Sequence, residues 1–139
     1  MSSNRMTYQQ LVEHQRRAPQ RRRPDDEEHR IQCACVNWFR LQYPTHASAL
    51  FAVPNGGRRD RVSGANLKAE GVLPGVSDLI LLVARGGCHA LLIEMKTSKG
   101  KQSPAQKVWQ REMESRGYRY VVCHSFDEFR EVIDDYLLL

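Results

Sequence analysis

Two apolar runs, Leu79-Ile80-Leu81-Leu82-Val83 and Leu91-Leu92-Ile93, flank the segment Arg85-Gly86-Gly87. Runs of this length read as buried strands, and the glycines between them as the turn of a hairpin. Each run carries a carboxylate where an apolar side chain would pack better: Asp78 opens the first and Glu94 follows the second. Lys96, two residues beyond Glu94, falls on the same strand face. Asp78 and Glu94 are equidistant from Gly86, so a loop centred there sets them opposite each other. A two-residue Gly86-Gly87 turn with an uninterrupted ladder pairs Asp78 with Met95 instead, and sends the carboxylates to opposite faces. A shared site therefore requires an odd-length loop such as Arg85-Gly86-Gly87, or a bulge that restores parity.

The remaining pattern supplies helices around these strands. Asp25 or Asp26 is a suitable N-cap for an amphipathic helix that carries Ile31, Ala34, Cys35, Trp38, Phe39 and Leu41 and stops before Pro44. Ala49 to Val53 reads as a short strand ended by the turn Pro54-Asn55-Gly56-Gly57. Residues 59–70 read as a helix closed by Gly71. Ser103-Pro104-Ala105-Gln106 is a helix start with a serine cap, proline at the first helical position and glutamine at the third. That helix runs to about Arg116, ahead of Gly117, and a strand follows over residues 118–124. Ser125 or Asp127 then caps a last helix with Phe126, Phe129, Val132, Ile133 and Tyr136 on its apolar side. A short helix over residues 6–17 is a weaker signal. The order predicts a mixed α/β sheet with helices packed on its faces.

Composition changes this picture in one place. The chain has 139 residues and a net charge of +5. Residues 1–24 hold Arg5, Arg16, Arg17, Arg21, Arg22 and Arg23 against Glu13, whereas the other residues balance. The organisation expected is thus a basic N-terminal arm, 1–24, and one domain, 25–139. Such an arm suits salt-sensitive phosphate contacts, and equally suits a solvated terminus. No apolar run approaches a membrane span, and an intracellular, cytoplasmic protein is expected. Cys33, Cys35, Cys88 and Cys123 lack the paired spacing of a zinc site and read as reduced thiols. His29 and Cys33 share a helix face, but no second pair completes a tetrahedral set.

The chemistry therefore rests on the hairpin. Asp78, Glu94 and the carbonyl of Met95 offer hard oxygen ligands suited to Mg²⁺ or Mn²⁺, and Lys96 is placed to orient a water or stabilise transition-state charge. That combination points to phosphodiester hydrolysis. The competing reading is a same-face Glu94–Lys96 ion pair. Glu28, in the first turn of its helix, is explained as well by the helix dipole, and Gln106 by a capping box. Asn55, Gly56, Gly57, Arg58 and Arg59 form a loop suited to close backbone approach to phosphate. Lys99 and Lys101 are further candidates for nucleic-acid contact.

Taken together, Glu28-x-x-Ile31-Gln32, Pro54-Asn55-Gly56-Gly57-Arg58, Gly75-Val76-Ser77-Asp78, Ile93-Glu94-Met95-Lys96 and Ser103-Pro104-x-Gln106 resemble the VRR-NUC domain, a branch of the PD-(D/E)XK nuclease superfamily. The resemblance covers about residues 25–138 in order. It implies a restriction-endonuclease-like αβββαβ core, with Asp78 and Glu94 as metal ligands and Lys96 as the catalytic lysine. It also implies that Glu28 completes the acidic cluster and that Gln106 reaches into the site. Ser77 departs from the proline usual before the aspartate, with little chemical consequence expected. Stand-alone members resemble small viral or bacterial proteins that cut four-way DNA junctions as dimers. The leading expectation is accordingly a homodimeric Holliday-junction resolvase using Mg²⁺ or Mn²⁺. The alternatives are a nuclease for flap or linear DNA, or a catalytically idle DNA-binding module.

Overall fold

The computed structural model describes Thr7, residues 24–54 and residues 61–139. The expected helix over 6–17, the arginines of the arm and the loop Asn55, Gly56, Gly57, Arg58 and Arg59 lie outside the described residues. Helix α1 (Pro24–Gln42) leads through a 3₁₀ turn (Pro44–Ala49) into strand β1 (Leu50–Ala52). Helix α2 (Arg61–Ala69) precedes the hairpin strands β2 (Leu79–Leu81) and β3 (Leu91–Met95). Helix α3 (Pro104–Ser115), strand β4 (Arg119–Cys123) and helix α4 (Phe126–Leu137) complete the order. The sheet order is β1-β2-β3-β4, antiparallel except for the parallel pair β3–β4, which α3 connects. The expected αβββαβ core is present, with α2 inserted in the β1–β2 connection.

The sheet separates two environments. Leu79, Leu81, Leu91, Ile93, Met95 and Cys123 form the main core with Cys35 and Phe39 of α1 and Phe129, Ile133 and Tyr136 of α4. Trp38 packs edge-on against Tyr43, Phe126 and Phe129, which locks α1 to α4. The opposite face carries Leu92 and Glu94, and α3 covers it through Trp109, whose ring meets Tyr120 at 6.1 Å. Among the described residues, no helix is long and apolar enough to cross a membrane.

Several boundaries differ from those expected. Helix α1 starts at Pro24, so Asp25 and Asp26 lie in its first turn and neither is the cap. Proline fits there because its fixed φ is helical and its missing N–H is not needed. Ala34 and Leu41 are exposed, Leu41 by 85%, so the buried stripe of α1 is narrower than the apolar pattern suggested. Cys35 and Cys123 are buried, and loss of hydration pushes both thiols up to about 12, which leaves them inert.

The hairpin combines the two geometries weighed above. Gly86 (φ 56°) and Gly87 (φ 79°) form a two-residue turn, closed by reciprocal hydrogen bonds between Arg85 and Cys88. The strands nevertheless pair Leu79 with Ile93 and Leu81 with Leu91, one residue out of step with that turn. Leu82, Val83 and Ala84 face only His89 and Ala90 across the gap, so β2 carries the extra residue of a bulge. Its backbone groups are satisfied elsewhere: Leu82 N donates to Ala49 O, Val83 N to Leu81 O, and the Tyr136 hydroxyl to Val83 O at 2.6 Å. The bulge restores parity. Extrapolated by one step, the register sets Asp78 opposite Glu94.

Candidate active site

Asp78 lies at the approach to β2, where its carbonyl accepts from Val53 N at 2.9 Å and ties it to the end of β1. Its side-chain Oδ2 accepts from the backbone N–H of Met95 at 2.7 Å, so the carboxylate lies against β3 beside Glu94. Ser77, fully buried, donates from its hydroxyl to Leu79 O at 3.2 Å. A hydrogen bond thus steadies the segment that leads into Asp78.

Glu94 is the centre of the arrangement. It is 2% exposed, and its Oε1 accepts from Gln106 Nε2 at 2.8 Å and lies 3.5 Å from Lys96 Nζ. Burial, and then the neighbouring Asp78 carboxylate, push its carboxyl up from 4.5 to about 8, with Lys96 opposing both. Two carboxylates therefore share a poorly hydrated site with one half-buried lysine, 16% exposed. A divalent cation relieves that repulsion, and the ligands on offer are all oxygens, which suits Mg²⁺ or Mn²⁺. Asp78, Glu94 and the Met95 carbonyl are the groups that fit it.

Gln106 serves both of the purposes set against each other in the sequence. Its Oε1 accepts from Ser103 N at 2.7 Å while Ser103 Oγ accepts from Gln106 N at 3.2 Å, a complete capping box. Its Nε2 is left free to donate to Glu94. The approach of α3 depends on Gly75, which has φ 86° and sits so close that a Cβ would lie 2.6 Å from the carbonyl of Ala105. One glycine thereby joins the Asp78 segment to the α3 terminus that carries Gln106.

The remaining expected residues are placed less tightly. Glu28 is half-buried in the first turn of α1. Among the described residues no three His, Cys, Asp or Glu side chains converge to hold a metal, so Glu28 does not form a three-acid cluster with Asp78 and Glu94. Its element explains this: α1 packs on α4 and the 3₁₀ turn, across the sheet from the Glu94 face. His29 and Cys33 meet each other at 3.5 Å on the exposed side of α1 and, among the described residues, gather no third His, Cys, Asp or Glu. Lys99 and Lys101 are exposed in the loop between β3 and α3.

Sequence reasoning missed Tyr120, Gln102 and Gln110. Tyr120 stands beside Leu92 in the parallel β3–β4 register, and its hydroxyl lies 3.5 Å from Glu94 Oε2. Gln102 Nε2 donates to Tyr120 Oη at 3.3 Å and to Gln110 Oε1 at 2.8 Å. The available signal was a tyrosine in an otherwise apolar strand, which asks for a hydroxyl partner but does not name one.

Comparison with known proteins agrees with this geometry. The model of the VRR-NUC domain family matches residues 8–127. A solved structure described as a VRR_NUC domain protein is 30% identical, with a TM-score of 0.72 over 81% of this chain and 88% of that one. Comparison with curated proteins gave no match. VRR-NUC nucleases are generally dependent on divalent metal, in keeping with the adjacent carboxylates of Asp78 and Glu94. The chain belongs to the VRR-NUC domain family and is a nuclease of the PD-(D/E)XK type.

Proposed function

We propose that this nuclease is a Mg²⁺- or Mn²⁺-dependent endodeoxyribonuclease that cuts branched DNA, four-way junctions foremost, as a homodimer. The observation that carries the reading is the juxtaposition of the Asp78 and Glu94 carboxylates on adjacent strands, with Lys96 against Glu94. A divalent cation bound there supplies charge neutralisation for the phosphate and a lowered pKa for water. Asp78 and Glu94 hold it, together with the Met95 carbonyl. Gln106 fixes one Glu94 oxygen by donating to it. Lys96 acts as the catalytic lysine, aligning the attacking water or stabilising charge on the phosphate oxygens.

Charge indicates the side from which DNA arrives. From Lys96 to Arg111 the chain carries Lys96, Lys99, Lys101, Lys107 and Arg111 and no acidic residue. Helix α4, on the other face, carries Asp127, Glu128, Glu131, Asp134 and Asp135 against Arg130. A polyanion is attracted to the α3 side and repelled from α4. Replacing Lys99 and Lys101 by alanine is expected to weaken DNA binding across all sequences. It should also reduce the slope of log affinity against log salt by about one for each phosphate that is no longer neutralised. An unchanged slope in a salt titration removes both lysines from the interface. The loop over Asn55, Gly56, Gly57, Arg58 and Arg59 is proposed to add backbone contacts, and the arm over residues 1–24 non-specific ones.

Junction preference and dimerisation rest on symmetry: resolving a four-way junction takes two coordinated cuts, and a two-fold dimer supplies two sites. The test is cleavage of labelled four-way, flap and linear DNA with Mg²⁺ or Mn²⁺, beside the Asp78→Ala variant. Paired symmetric cuts confined to the junction, absent in the variant, support resolution. Cutting of flaps or linear duplex keeps the nuclease and discards resolution. Tight binding without cutting in any metal makes the chain an idle binding module.

A further inference from the structure

A carboxylate rotates readily about its last torsion, so one hydrogen bond does not set the plane of Glu94. In this site both oxygens are engaged, from different elements. Oε1 receives Gln106 from α3, with Lys96 nearby, and Oε2 faces Tyr120 from β4. The direction of the second contact follows from its neighbours. Gln102 Nε2 has two protons, one directed to Gln110 Oε1 and the other to the Tyr120 oxygen. The phenol oxygen therefore accepts from Gln102, and its own proton turns to the carboxylate. Tyr120 is only 8% exposed and its ring is held edge-on by Trp109, so the hydroxyl has little freedom to turn elsewhere.

We propose that Tyr120, oriented by Gln102, is a positioning residue that fixes the plane of the Glu94 carboxylate for the divalent cation. The inference rests on the nuclease reading of the site and extends it from the residues that touch the cation to those that aim them. Tyr120→Phe removes one oxygen and keeps the ring against Trp109, so folding is retained. Partners behind a metal ligand typically contribute 10–100-fold in affinity or activity, and the 3.5 Å length of this contact sets the expectation at about 10-fold.

The test is calorimetric titration of the full chain with Mn²⁺, in wild type, Tyr120→Phe, Gln102→Ala and the double variant, each with its unfolding temperature. Weakening of Mn²⁺ binding by about 10-fold is expected in Tyr120→Phe, with the double variant no weaker than the stronger single effect. In cleavage, the metal concentration for half-maximal rate should rise in step while KM for DNA stays constant. Tyr118→Phe, whose ring lies 5.5 Å from that of His89 instead, should behave as wild type. Equal Mn²⁺ affinity in wild type and Tyr120→Phe overturns the inference and leaves the nuclease reading intact. Weaker binding that tracks a lower unfolding temperature also overturns it, since Tyr120 is then structural. A wild type that neither binds Mn²⁺ nor cuts DNA overturns the nuclease reading and this inference together.

Discussion

Replacing Glu94 by glutamine is expected to abolish cleavage and, at the same time, to make the metal-free protein more stable at alkaline pH. The first effect follows from losing a charge proposed to hold the cation and is expected to be roughly 10³-fold or more. The second follows from the buried pair. The Glu94 carboxyl is pushed up to about 8 in the folded chain by burial and by Asp78, against 4.5 in the unfolded chain. Between those values the folded state binds the extra proton, so the stabilisation is fully present below about pH 4.5 and is lost as pH rises through 8. Glutamine has no such proton to lose and keeps an oxygen for Gln106. The measurement is thermal unfolding from pH 4 to pH 9 with chelator present, beside single-turnover cleavage in Mg²⁺ and Mn²⁺. A wild-type curve that rises across that range, or a variant that still cuts, removes Glu94 from the buried pair. Added Mn²⁺ should stabilise wild type more at pH 8 than at pH 5, because the cation competes with the proton for the same oxygens.

Gly75→Ala is expected to damage both folding and catalysis, although Gly75 carries no chemistry. Its φ of 86° costs a residue with a Cβ about 1–3 kcal/mol. The new methyl group also meets the Ala105 carbonyl at 2.6 Å, and that neighbour is helix backbone which cannot turn aside. Relief comes only by moving the α3 terminus away from the Asp78 segment, which withdraws Gln106 from Glu94. A displacement of about 1 Å at a catalytic constellation costs about 10²-fold in rate. Unfolding temperature and kcat should therefore both fall, and kcat should remain low at temperatures where the variant is fully folded. A variant with wild-type kcat under those conditions would show that α3 does not position the site.

Much of the fold was legible because it is written in local rules. The turn at Gly86-Gly87, the Ser103 cap and the glycine after α3 each act within a few residues and appear where they were read, and of Ser125 and Asp127 it is Ser125 that caps α4. The run Leu79 to Val83 is strand only over Leu79–Leu81, and Leu82 at the bulge is 60% exposed. The core stripe of α1 was read too broadly. Periodicity assigns Leu41 a side of the helix but says nothing of where its partner, α4, ceases to cover it. The 3₁₀ turn over Pro44–Ala49 carries no period at all, and its place depends on Tyr43, whose hydroxyl donates to Asp134 on α4.

The candidate site divides along the same line. Sequence alone determined which residue types stand at positions 78, 94, 96 and 106, and their spacing limited the hairpin to two parities. Tertiary structure decided between those parities. A two-residue turn by itself sets the carboxylates apart. The bulge that brings them together is held by Tyr136, which reaches Val83 from a helix 53 residues away. The double use of Gln106 likewise depends on how closely Gly75 lets α3 approach. Tyr120 enters the site because β4 pairs in parallel with β3, a neighbour relation that no local pattern encodes. Local propensities act over a few residues, whereas the plane of a buried carboxylate is set by donors from every element packed around it.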